Sequence, residues 1–215
     1  MSTAIVGVGN IGAALAYHLV RGGEAVVLAS DTESSAQALA EDLGPLARAA
    51  SVEDAIDEAD IVVFAVWLDA IEELVAQHAS ALDGKVVIDP SNPIGVDDNG
   101  QMTRTVPDGQ SAGSVVAALL PASAHYAKAF GSLGVTALAS SSKREPLAVL
   151  FYAADDDTAA TEVERLIRAA GFDPLKVGGL AKAARIEFPG GDLHQDGGLN
   201  GRVLDHAEAQ NAIAA

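Results

Sequence analysis

Residues 4–15 read AIVGVGNIGAAL: three apolar residues run into G-x-G-x-x-G, and an apolar, helix-prone run follows. The chemistry this stretch can do belongs to the backbone. Gly7 permits a tight turn out of a strand, Gly9 lets the backbone approach a pyrophosphate, and Gly12 lets a helix pack close to that strand. A helix opening near Asn10 aims its free N–H groups and the positive end of its dipole at the phosphates. Gly7, Val8, Gly9, Asn10, Ile11 and Gly12 therefore form a candidate dinucleotide loop. A plain glycine-rich turn is the alternative, but here a strand precedes the motif and a helix follows it, as a nucleotide loop requires.

Cofactor choice in such a loop is usually made at the tip of the second strand. An acidic side chain there can hydrogen-bond the ribose hydroxyls of NAD, whereas NADP sites place Arg or Lys to meet the extra phosphate. This chain has Ser30-Asp31-Thr32, with Ser35 close behind. The carboxylate of Asp31 favours NAD, and the hydroxyls of Ser30, Thr32 and Ser35 can still donate to a phosphate. Asp31 and Thr32 also read as a cap for the helix Glu33–Leu43, a role compatible with the first.

Among the remaining polar residues, His194 stands out. It lies in a glycine-dense stretch from Pro189 to Gly201 that also carries Asp, Gln and Asn. If the second substrate is a carbonyl or imine, His194 is the candidate catalytic proton donor; a solvent-facing or interface role is the alternative. His18 and His78 fall on helices as packing or surface residues, and His125 begins a strand. No pair of histidines has metal-ligand spacing, so no metal site is expected. Hydride transfer between stacked rings needs little acid–base help, so no catalytic triad is expected either.

These residues need a scaffold. Ala4–Val6, Ala25–Ala29, Ala47–Ala50, Asp60–Val66 and Lys85–Asp89 read as parallel strands, separated by helices over Ile11–Val20, Glu33–Leu43, a short stretch opened by a Ser51 capping box, and Asp69–Leu82. Trp67, the only tryptophan, and the rigid turn Pro90-Ser91-Asn92-Pro93 then fall at strand carboxyl ends, where crevices in open α/β sheets lie. Ile94–Gln110 reads as an irregular loop or hairpin. A helix over Ala112–Leu120 leads to a sixth strand, Ala124–Phe130. Gly131 and Gly134 then imply a chain bending close to something, and Thr136–Glu145 reads as a polar loop, a candidate lid or hinge. Leu147–Ala153, a helix over Ala159–Ala170, Pro174–Val177, a helical turn over Ala181–Phe188 and a closing helix over Val203–Ile213 complete the chain. The fold class is α/β, a doubly wound, mostly parallel sheet of the Rossmann NAD(P)-binding type with a small C-terminal extension. The expected division is a dinucleotide-binding domain over 1–145 and an α/β extension over 146–215 packed on the same core.

Composition narrows the partners. Thirteen Lys and Arg against 30 Asp and Glu give a net charge of −17, which repels nucleic acid and anionic membranes. There is no cysteine, hence no disulfide framework or thiol nucleophile. No apolar run is long enough to span a bilayer, and a strand beginning near the third residue leaves no room for a signal peptide. A cytoplasmic protein with small-molecule partners is expected.

The ordered set GVGNIG at Gly7–Gly12, AVW at Ala65–Trp67, VVIDPSNPIG at Val86–Gly95, and SAGSVVAALLP followed by AKAFGSLG from Ser111 to Gly134 resembles the family of NADP oxidoreductases that use the deazaflavin coenzyme F(420). It is similar as well to the N-terminal domains of pyrroline-carboxylate-reductase-like proteins. The resemblance implies an oxidoreductase moving hydride between NADP or NAD and a deazaflavin or flavin-like ring, as a possible homodimer. It also implies that the nicotinamide lies among Ala65, Val66, Trp67, Ser91, Asn92, Ala129 and Phe130. Where the family often carries Ser-Arg at the second strand tip, this chain carries Ser30-Asp31. Two other readings stand beside it: a non-catalytic redox sensor, favoured by an open nicotinamide face, and a reductase of a small carbonyl or imine.

Overall fold

A computed structural model describes residues 1–97 and 99–215. Short runs of consecutive apolar residues form the strands β1 (Thr3–Val6), β2 (Val26–Ala29), β4 (Ile61–Phe64) and β5 (Val86–Asp89), each buried along its whole length. Such runs suit strands covered on both faces. β3 (Ala47–Ala49) closes one edge, and β8 (His125–Ala129) follows β5 on the other side. The six run parallel in the order β3-β2-β1-β4-β5-β8. β9 (Val149–Ala154) joins β8 antiparallel, and β10 (Asp173–Gly178) pairs parallel with β9, so the C-terminal part extends the same sheet.

Helices cover both faces. On one side α1 (Asn10–Arg21), α2 (Glu33–Leu43), α6 (Val135–Ser140) and α7 (Asp157–Ala169) pack their apolar residues with Ile5, Leu28, Val63 and Ile88. On the other, α3 (Val52–Glu58), α4 (Leu68–His78) and α5 (Ala112–Leu119) pack with Val6, Val27, Phe64 and Val87. Adjacent strand residues thus go to opposite layers, as the two-residue strand period demands. A third cluster, from Val149 and Phe151 to Leu193 and Leu204, lies under the C-terminal turns, and α8 (His206–Ala214) ends the chain.

Several local expectations change. The stretch expected as the loop Thr136–Glu145 begins inside α6, because Ala137 and Leu138 bury their side chains in the core and the Leu138 carbonyl bonds the His18 ring at 3.0 Å. Of the two readings of Ile94–Gln110, loop or hairpin, the hairpin holds: β6 (Ile94–Val96) pairs antiparallel with β7 (Met102–Arg104). Residue 98, inside that region, lies outside the described residues. At Ser51 only half of the capping box forms: the hydroxyl accepts from the Asp54 N–H, while the Asp54 carboxylate takes the Ser51 hydroxyl rather than the backbone. At Ser111 both halves form, with Ser114 as the reciprocal partner.

Candidate nucleotide-binding site

The order of β1 to β5 and β8 puts the switch point between β1 and β4, each of which sends its chain to the opposite side. Ligands of open α/β sheets bind outside the carboxyl ends of the strands at this point. The glycine turn follows β1, and Ala65–Trp67 follows β4. Here each glycine has a measurable reason. Gly7 has a φ of +98°, and a Cβ on it would fall 2.5 Å from the Ala65 carbonyl oxygen and 2.5 Å from Val66 Cγ1. A Cβ on Gly12 would fall 1.9 Å from the Gly7 carbonyl oxygen. Gly9 differs: its φ is −68°, and a Cβ there would meet nothing within 4 Å. Packing within the chain therefore does not require glycine at position 9.

Gly9 is also the N-cap of α1, with no side chain capping the helix and no acid in its first turn. The N–H of Ala13 makes the first helical bond, to Gly9, at 2.8 Å. The amides of Asn10, Ile11 and Gly12 precede it and have no intrahelical acceptor. Val8 and Ile11 rest against the core while Asn10 is exposed, so the turn is anchored by its apolar residues and open at its rim. Donors, dipole and space together fit a diphosphate.

At the tip of β2 the Ser30 hydroxyl donates to Asp31 Oδ1 at 3.0 Å, and Asp31, Thr32 and Ser35 are exposed. Thr32 is the N-cap of α2 but makes no side-chain cap bond, which leaves the capping role expected of Asp31-Thr32 unfilled. Trp67 ends the β4 loop with 52% of its surface exposed. It walls a cleft of about 480 Å³ against Ile94, Val96 and Thr105 of the hairpin.

The tips of β5 and β8 are more committed. Asn92 donates through Nδ2 to the Gly131 carbonyl at 3.3 Å and accepts the Phe188 N–H on Oδ1 at 2.7 Å. Ser91 is buried and gives its N–H to Asp89 Oδ1 at 2.6 Å. Ala129 is buried. Phe130 sits at φ +66°, a left-handed conformation uncommon outside glycine, and its side chain packs into the core on the α1 side. Its ring is buried, so at this position only the backbone can face the crevice. The bend it begins brings Gly131 against Pro90, where a Cβ would fall 2.4 Å from the Pro90 carbonyl oxygen.

A buried charge cluster beneath these tips escaped the sequence reading. Lys128, 2% exposed, donates to Asp89 Oδ2 at 2.8 Å and to the Ser91 carbonyl, and lies 3.8 Å from Glu187 Oε1. Tyr126 donates its hydroxyl to the same Asp89 oxygen at 2.8 Å. Burial, with Asp89 beside it, pushes the Tyr126 phenol well above its ordinary pKa, so it stays a donor. Glu187 accepts the amides of Ala112 at 2.9 Å and Gly113 at 2.8 Å, at the start of α5. The signal available in the sequence was Asp89 at the end of an otherwise apolar strand and Lys128 between two alanines in the strand beside it. These two residues are register partners.

The glycine-dense stretch folds down as a strap over the segment after β8. The Gln195 N–H reaches the Ser132 carbonyl at 2.9 Å, and Gln195 Oε1 takes the Gly134 N–H at 2.9 Å. His194 is 3% exposed, tilts against Phe188 at 5.4 Å between ring centroids, and accepts the Asp196 N–H on Nδ1 at 3.0 Å. Burial lowers its pKa, against the raising effects of Asp196 and of the Gly131 carbonyl. Burial likewise lowers that of His18. Both rings bind a proton more readily in the unfolded chain. Their contribution is intact above the ordinary imidazole pKa of about 6.5 and is lost as pH falls from there toward each folded value. Unfolding free energy should therefore fall below pH about 6.5, by up to ~1.4 kcal/mol per pH unit per ring. His194→Asn should flatten that slope in denaturation curves from pH 7.5 to 5, and an unchanged slope would remove His194 from the account.

Fold and turn together define the class: a doubly wound α/β protein of the dinucleotide-binding type. Residues 2–93 match the family model for NADP oxidoreductase coenzyme F420-dependent. A crystal structure of a hypothetical protein from Sinorhizobium meliloti is 29% identical, with a TM-score of 0.77 over 87% of this chain and 90% of that one. A structure from Arthrobacter sp., carrying the name of an F420-dependent NADP-reductase, is 22% identical, with a TM-score of 0.72 over 84% of this chain and 86% of that one. At that identity the likeness speaks for the fold. The metalloreductase STEAP3 of Rattus norvegicus is 30% identical over 183 residues, 85% of this chain. The chain spans 35% of that relative's length. Among the described residues no helix is long and apolar enough to cross a membrane.

Proposed function

We propose that the protein is an NAD(P)-dependent oxidoreductase whose second substrate is a flat ring of the deazaflavin or flavin kind. The observation that carries this reading is the empty Cβ space of Gly9 at an uncapped helix N-terminus. In it the amides of Asn10, Ile11 and Gly12 hold the diphosphate, and Ser30, Asp31, Thr32 and Ser35 flank the adenosine ribose. The segment Ala65–Trp67, Ser91, Asn92, Ala129 and the backbone of Phe130 border the nicotinamide. When bound, a dihydronicotinamide supplies a hydride; the chain's own residues orient the ring and keep water from it. The family model matched by residues 2–93 and the name carried by the Arthrobacter structure support coenzyme F(420) as the acceptor.

The surroundings of His194 support a positioning role, because a buried, neutral ring with Nδ1 already engaged is a poor proton donor near neutral pH. That weighs against a carbonyl or imine substrate. The sensor reading keeps one observation in its favour: with Phe130 packed inward, Trp67 faces an open cleft rather than a closed pocket. Mixing NADPH with a deazaflavin or flavin and following absorbance at 340 nm separates the two. Turnover supports the enzyme; tight nucleotide binding with no turnover on any ring acceptor supports the sensor.

Phosphate preference turns on Asp31. An exposed carboxylate beside the ribose opposes a 2′-phosphate, so Asp31→Asn should raise affinity for NADPH relative to NADH by roughly tenfold, about 1.4 kcal/mol. Parallel titrations of both nucleotides check this. An unchanged ratio would show that Asp31 does not face the ribose.

A further inference from the structure

We infer that the buried cluster of Asp89, Lys128 and Glu187 sets how far the nucleotide site prefers the oxidised over the reduced cofactor, by holding one excess negative charge beneath the nicotinamide. The inference rests on the cofactor position proposed above and adds what the chain does to the ring there. Asp89, Lys128 and Glu187 are 0%, 2% and 2% exposed. Asp89 accepts the Ser91 N–H on Oδ1, and both the Tyr126 hydroxyl and the Lys128 ammonium on Oδ2. Glu187 accepts the amides of Gly113 and Ala112, one on each oxygen. Among the described residues neither acid donates a hydrogen bond, the pattern of two carboxylate anions. A single ammonium faces them: among the described residues both acids form ion pairs with Lys128 alone, at 2.8 Å and 3.8 Å. Two negative charges against one positive leave an excess.

Stability does not explain the second carboxylate. A buried ion pair barely repays its desolvation, and a further buried charge adds to that cost. The amides at the start of α5 offset part of the Glu187 charge through the helix dipole, without cancelling it. What distinguishes the cluster is its place. Lys128 directly precedes Ala129, and it donates to the Ser91 carbonyl with the Ser91 hydroxyl at 3.3 Å. Ser91 and Ala129 both border the proposed nicotinamide position. The oxidised ring carries a positive charge that the reduced ring lacks, and a charge in a poorly solvated interior acts beyond its immediate neighbours. Excess negative charge here favours the oxidised nucleotide, and with it the release of hydride.

Calorimetric titration of NADP⁺ and NADPH, or of NAD⁺ and NADH if the parent prefers them, gives the ratio of the two dissociation constants without any turnover. Glu187→Gln keeps the shape of the side chain and removes its charge, so the oxidised form should weaken relative to the reduced form by about tenfold. Asp89→Asn should shift the ratio in the same direction. Glu187→Asp keeps the charge and disturbs the contacts, so its ratio should stay within about twofold of the parent's, whatever its melting temperature. Tyr126→Phe removes a hydrogen bond of the cluster but no charge, and should do likewise. If Glu187→Gln or Asp89→Asn folds and leaves the ratio within about twofold of the parent's, the inference is overturned while the proposed function stands. The same holds if Glu187→Asp moves the ratio as far as Glu187→Gln does, since contacts rather than charge would then govern it. A parent that binds neither nucleotide overturns the proposed function, and this inference with it.

Discussion

Lys128→Met should cost about 3–5 kcal/mol of stability, the usual penalty for removing one partner of a buried charge pair. For a chain of this size that is on the order of 10 °C in melting temperature. The variant leaves Asp89, fully buried, with Tyr126 and the Ser91 amide as its remaining donors. It also frees the Ser91 carbonyl that Lys128 holds. Because the Ser91–Asn92 turn borders the proposed nicotinamide position, nucleotide affinity should weaken as well. Tyr126→Phe removes a single hydrogen bond to a charged group and should cost less, about 1.5–3 kcal/mol. Thermal denaturation of the two variants checks the order. A Lys128→Met protein as stable as the parent would mean that the cluster is not formed as described.

Gly9→Ala should leave the fold intact and remove nucleotide binding. At a φ of −68° and ψ of −166° alanine is unstrained, and its methyl meets no protein atom within 4 Å. That same methyl would occupy the space assigned to the diphosphate. Affinity for NADPH should fall by about two orders of magnitude, ~2.7 kcal/mol, at an unchanged melting temperature. Gly12→Ala is the contrast. Its methyl would lie 1.9 Å from the Gly7 carbonyl oxygen, so the strand–helix contact must open and stability itself should fall by about 1–3 kcal/mol. Calorimetric binding and melting curves on both variants separate a position kept for ligand from one kept for packing. If Gly9→Ala binds NADPH as the parent does, the diphosphate lies elsewhere.

The sheet was legible because its strands are continuous apolar runs between glycine-stopped helices. The glycine turn was legible because a strand-to-helix turn with no room for a Cβ at Gly7 or Gly12 needs glycines at fixed spacing. Where the sequence misled, long-range contacts decided the outcome. Nothing local says that Ala137 and Leu138 will be buried against α1, so a serine-rich stretch reads as loop. Nothing local says that Phe130 adopts a left-handed backbone or that its ring joins the core. His194 looked like an available imidazole because its neighbours are glycines and polar residues. Its burial comes from Phe188 and from the strap closing on Ser132 and Gly134. The Lys128 cluster joins β5, β8, the start of α5 and Glu187, which are brought together only by sheet order.

The proposed function requires that the turn from β1 into α1 grip a diphosphate through backbone amides. Titrating NADPH into isotopically labelled protein while following the amide resonances of Gly7 through Ala13 examines those groups themselves. Large, saturable shifts centred on Asn10, Ile11 and Gly12 are predicted. Saturable binding that leaves these resonances in place and moves others would contradict it.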